Sequence, residues 1–184
     1  MLEFTVPVVA DRNMVREAIK GKYNYPQWSI QLSTNFNLGV ISTIFFHRLL
    51  GPITPTPASF LGISYPTADL PSLDDDIDNK ISQLLDKLDV DSHHRATAEI
   101  HFQTREKKPR GWFKSDADEV KSWEVWTVDV TCTPGVAGVA NTDAIRTSFE
   151  EAVVSVVTTC DAHKDHIPAL STMDPSPFPY AIVV

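Results

Sequence analysis

Leu73, Ile77, Ile81, Leu84, Leu85 and Leu88 recur at the three- and four-residue spacing that keeps side chains on one stripe of a helix. The pattern predicts a helix over Ser72–Val90. Ser72 stands as its N-cap with Asp75 in the capping-box position. Asp74, Asp75 and Asp76 fill the first turn, where the helix dipole favours negative charge. Phe36, Val40, Ile41, Ile44, Phe45, Leu49 and Leu50 predict a second helix over about Ser33–Leu50. It is apolar round so much of its circumference that it should be central to its domain, and Gly51-Pro52 stops it. A last helix starts at Asn141 or Thr142, with Ile145, Phe149, Ala152, Val153, Val156, Val157 and Cys160 as its stripe and Pro168 at its end. A shorter helix is expected from Asp11 to Lys20 on Val15, Ala18 and Ile19.

Elsewhere the period is two. Ala98, Ile100 and Phe102 alternate with Thr97, Glu99, His101 and Gln103, which predicts a half-buried antiparallel strand over Arg95–Thr104. Trp126, Val128, Val130 and Cys132 predict its partner over Ser122–Thr133, preceded by apolar Trp123 and Val125. The two form a hairpin with a loop of roughly Arg105–Lys121, a length usually functional or disordered. Residues 2–9 predict a short strand with Leu2, Phe4 and Val6 on one face and Pro7 marking a sheet edge. Prolines 52, 55, 57, 66 and 71 exclude helix from 51–72 and leave Ser59–Tyr65 as the one strand there. Tyr180–Val184 is a final strand. The expected fold class is α+β: an antiparallel sheet with helices packed on one face, in a single domain over residues 1–184.

The formal net charge of −8 argues against nucleic acid as the main partner. Residues 1–10 lack a basic leader, and no apolar run reaches the length of a transmembrane span. Two cysteines, Cys132 and Cys160, are most simply read in a reduced, cytosolic setting.

The candidate chemistry is thin. Cys160, His163 and His166 form C-x-x-H-x-x-H, with Asp165 nearby, and could hold zinc as a small metal-binding or hydrolytic domain. The competing account is stronger: Cys160 belongs to the core stripe, and the histidines suit a helix C-terminus by charge–dipole attraction. His93, His94, Glu99 and His101 suggest a second metal or acid–base cluster, but Glu99 and His101 share the polar, solvent side of the sheet, and the bland reading prevails. Ser64 lacks the second glycine and the following helix of a nucleophile elbow. Asp74–Asp78 lacks the glycine and distal glutamate of a calcium loop. No cofactor is expected. Arg105, Lys107, Lys108, Arg110 and Lys114 make a basic cluster that could meet an acidic partner or a membrane surface, or simply stay solvated.

Trp112 and Phe113 stand side by side within that cluster. Neighbours on a strand point to opposite faces, so a strand could bury only one of them. Each ring could bury on the order of 150–250 Å². Either the loop folds back over the hairpin, or the pair is held out for another protein to cover; the second is the expectation, since aromatic side chains are favoured interface anchors.

TIFFHRLLG (residues 43–51), FLGISYP (60–66), PRGWFKSD (109–116) and WEVWTVDV (123–130) together resemble the autophagy-related protein 101 family, in a short fungal-type form. The resemblance implies a HORMA domain without enzymatic activity. It implies a heterodimer with the HORMA domain of autophagy-related protein 13, which it stabilises, within the complex around the autophagy-initiating kinase. It implies recruitment of downstream autophagy factors at the phagophore assembly site through an exposed finger, here Trp112 and Phe113. Longer members separate the two aromatics by one residue. Such dimers pair through the last helix and adjoining strand, which makes Arg146, Glu150 and Glu151 candidate partner contacts.

Overall fold

The computed structural model describes residues 1–11, 39–68, 70–90, 95–106, 119–133, 142–170 and 178–184. The expected Asp11–Lys20 helix and the first residues of the Ser33–Leu50 helix lie outside them.

Six strands and three helices are present among the described residues. The strands are β1 (Leu2–Asp11), β2 (Pro55–Phe60), β3 (Ile63–Ala68), β4 (Arg95–Glu106), β5 (Glu119–Thr133) and β6 (Tyr180–Val183). The helices are α1 (residues 39–48), α2 (Pro71–Val90) and α3 (Thr142–Ala162). The main sheet has the order β1-β5-β4-β6, and β2 and β3 form a separate hairpin. The α+β class therefore holds, but the sheet is mixed. β5–β4 and β4–β6 are antiparallel, whereas β1 runs parallel to β5 with Phe4 opposite Trp126 and Val8 opposite Val130. β1 sits at the edge, as Pro7 requires. Its Val9 amide donates to Ser148 Oγ of α3 at 3.0 Å, which ties up one of the unpaired edge groups.

Alternation decides which face is covered. Val6 and Val8, Trp126, Val128 and Val130, Ala98, Ile100 and Phe102, and Ile182 all turn to one side and are buried. The helices close over that side. α1 is the centre: Val40, Ile41, Ile44 and Phe45 are at most 1% exposed. The Phe45 ring meets Phe102 edge-on at 5.4 Å and Tyr180 at 4.9 Å. α2 inserts Leu73, Ile77, Ile81, Leu84 and Leu88. Tyr180 also donates its hydroxyl to Asp76 Oδ2 at 2.8 Å, joining β6 to α2.

Four expectations are corrected. Ser59–Tyr65 is not one strand: Leu61 and Gly62 take φ of 48° and 79° and form the two-residue turn of a hairpin. Two successive positive φ values are the signature of a turn that matches strand twist. α2 begins at Pro71 rather than at a Ser72 cap, and the Leu70 carbonyl receives the Leu73 and Asp74 amides. Proline suits that first position because its missing N–H has no partner there anyway. α3 ends at Ala162, six residues before Pro168, and Val157 lies outside its buried stripe at 38% exposed. Both strands of the long hairpin run further than expected, to Glu106 and from Glu119.

Candidate functional site

β4 and β5 shift register between Phe102 and Gln103: Phe102 faces Glu124, Gln103 faces Ser122, and Trp123 is the extra residue. Such a bulge re-aims side chains locally. Here Trp123 and Glu124, though adjacent, both reach the helix-covered side. The Trp123 ring meets Phe102, His166 and Phe178. Glu124 is wholly buried.

Glu124 is held by three donors. Arg48 Nε, at the end of α1, lies 2.8 Å from its Oε1 and 3.0 Å from its Oε2. His166 Nε2 lies 2.6 Å from Oε2, and the Trp126 indole N–H donates to Oε1. The remaining Arg48 donors turn to α3: Nη2 reaches the His163 carbonyl at 3.0 Å and Nη1 the Cys160 carbonyl at 3.4 Å. α3 has no basic residue in its own last turn. Arg48 supplies that cation from another helix, where the dipole and the free carbonyls favour it. A buried charge is tolerable only when paired and hydrogen-bonded, and this network meets the condition. Its chemistry is structural: it fastens α1, the bulge of β5, the end of α3 and the segment after it.

The residues proposed for zinc do not converge as a ligand set. Cys160 is buried in the core, and burial pushes its thiol up to about 12. Deprotonation, which metal binding needs, is thereby opposed. His163 Nδ1 contacts the Thr159 carbonyl at 3.0 Å, and His166 is turned to Glu124. Among the described residues no three His, Cys, Asp or Glu side chains group as metal ligands. His93 and His94 lie outside those residues. On the open sheet face His101 Nε2 lies 3.1 Å from Glu99 Oε2, and its Nδ1 lies 3.5 Å from Ser122 Oγ. The serine contact is too long to activate a nucleophile: Glu99 and His101 are neighbours along one face of β4, with Ser122 across from them on β5. Ser64 is exposed on β3, within a strand and not before a helix.

Trp112 and Phe113, with Lys107, Lys108, Arg110 and Lys114, lie outside the described residues. Arg105, at the root of that loop, is exposed. On α3, Arg146, Glu150 and Glu151 are exposed as a contact surface would require. Val154 joins them at 58% exposed.

Sequence reasoning missed the Arg48–Glu124 pair. The signal was present: Glu124 falls in the same alternate register as Trp126, Val128 and Val130, so it had to point inward and needed a cation. Arg48 is embedded in the most apolar helix. It also missed a cavity of about 480 Å³ beside the bulge, walled by Leu2, Thr104, Lys121, Trp123, His166 and Pro168. The Trp123 Nε1 next to it is buried without an acceptor among the described residues.

A mixed sheet with helices on one face, fastened by the buried Arg48–Glu124–His166 cluster, defines an α+β domain. The model of the family described as Autophagy-related protein 101 matches residues 7–174. The chain belongs to that family, an adaptor-type family acting in autophagy, and its fold is of the HORMA type. No curated protein matches the chain. No helix among the described residues is long and apolar enough to cross a membrane.

Proposed function

We propose that this protein is a non-catalytic adaptor of autophagy initiation, built as a single HORMA domain. It heterodimerises with the HORMA domain of autophagy-related protein 13, stabilises it within the complex around the initiating kinase, and recruits downstream factors to the phagophore assembly site through Trp112 and Phe113. The family match over residues 7–174 carries this reading. The internal use of the buried charges supports it, since Arg48, Glu124 and His166 are committed to holding elements together. The outer face of α3 offers a contact surface of mixed character, with Val154 exposed among Arg146, Glu150 and Glu151.

Co-expression with the HORMA domain of autophagy-related protein 13 tests the pairing. The expected result is co-elution as a one-to-one complex, with a higher melting temperature for the partner than it shows alone, because binding to the native state stabilises it. Charge reversal at Arg146, Glu150 and Glu151 together should weaken that complex while the isolated fold melts unchanged. Separate elution of the wild-type chains would overturn the pairing.

A further inference from the structure

The helix-covered face of the sheet continues past the end of its helices. α1 and α3 stop at the level of Glu124, yet Leu2, Thr104, Lys121 and Trp123 carry the same face onward with no helix above them among the described residues. His166 and Pro168, from the segment after α3, wall one side. The resulting cavity of about 480 Å³ lies within the ~300–1,000 Å³ typical of ligand clefts, and is too large for a single side chain. Its apolar lining is exposed: Leu2 is 36% accessible and its neighbour Met1 73%. The polarity is one-sided. Lys121 and His166 are its titratable lining residues, with no carboxylate among the described ones, in a chain of net charge −8. The carboxylate of Glu124, next to Trp123 on β5, is already taken by Arg48, His166 and Trp126.

We propose that the cavity between Trp123, Lys121 and His166 is a docking site for a partner polypeptide in which one bulky apolar side chain stands next to a carboxylate. The apolar side chain fills the space over Leu2 and against the Trp123 ring. The carboxylate meets the Lys121 ammonium, the cation of the lining that no described carboxylate pairs.

Selection of displayed random peptides of about eight residues on the intact protein tests it. Enriched peptides should share an aromatic or large aliphatic residue beside Asp or Glu. Measured by fluorescence polarisation, their affinity should fall about tenfold or more in Lys121→Glu, an exposed change on the rim that the fold tolerates, and likewise in Leu2→Asp. Val120→Asp, on the opposite face of β5, and the Trp112→Ala/Phe113→Ala pair should leave binding within about twofold. Enrichment of basic or wholly apolar peptides, or undiminished binding to Lys121→Glu, would overturn the proposal; so would loss of binding in the finger variant, which would place the site on the loop instead.

Discussion

Arg48 and Glu124, on α1 and β5, form a salt bridge with almost no contact with water: the two side chains are 2% and 0% exposed and 2.8 Å apart. Removing one member of such a pair leaves an unmatched charge in the interior, which costs about 3–5 kcal/mol. Arg48 also satisfies carbonyls at the end of α3, so Arg48→Met should be at least as harmful as Glu124→Gln. The double variant should be less destabilised than the sum of the two, because neither orphaned charge then remains. Urea unfolding of the four proteins gives the coupling energy directly; simple additivity would show that the pair does not act as a unit.

Gly39 lies where α1 crosses α3. A Cβ placed there would come within 2.8 Å of two atoms of the Phe149 ring and 3.1 Å of the Tyr65 ring. Phe149 has little room to retreat, being wholly buried and packed edge-on against Phe60 and Tyr65. Alanine is the better helix former, so a surface glycine in this position would gain from the change. Overpacking should prevail, and Gly39→Ala is expected to lower stability by about 1–3 kcal/mol in chemical denaturation.

His47 sets a pH dependence. Burial, then the neighbouring Arg48 cation, hold its imidazole below the ordinary 6.5, and its Nε2 is buried without a partner among the described residues. The unfolded chain therefore binds a proton that the folded chain refuses. The stability this group contributes is fully present above pH 6.5 and is lost as pH falls from there towards the lowered folded value. The urea midpoint should drop between about pH 7 and pH 5, and His47→Gln should flatten that slope. An equal slope in the variant would assign the acid sensitivity to other groups.

The core was legible because it obeys simple periods. Ile100 and Phe102, Val128 and Val130, and the Leu73–Leu88 stripe are all buried as their spacing demands. The Phe60–Tyr65 hairpin was not, because its turn carries Leu61 in a left-handed conformation that leucine rarely adopts, inside an unbroken apolar run. Nothing local reports that β1 lies parallel to β5; that choice is made by which residues α3 must cover. The Arg48–Glu124 pair was half legible. Glu124 betrays itself by register, but its partner is 76 residues away in sequence. The bulge that brings Trp123 to the same side has no signature in the run WEVWTVDV.

Both cysteines are buried and neither forms a disulfide among the described residues, and the Cys160 thiol is pushed up to about 12 by burial. Neither should react with a thiol reagent in the folded protein near pH 8, since the thiolate is the reactive form. Labelling should appear only on unfolding, and at the rate of unfolding. Fast modification of the native protein would mean that the α3 stripe opens around Cys160.

The finger is separable from the fold if its rings are held for a partner. The buried side chains of β4 and β5 already have neighbours among the described residues: Phe102 packs on Phe45, and Trp123 on Phe102, His166 and Phe178. Trp112→Ala with Phe113→Ala should therefore leave the melting temperature within about 2 °C of wild type, as surface changes do. It should leave co-purification with the partner HORMA domain intact. Starvation-induced assembly of downstream factors should be lost in cells carrying the double variant. A large drop in melting temperature would mean that the rings belong to the hydrophobic interior, and the recruiting role would then fall to another surface.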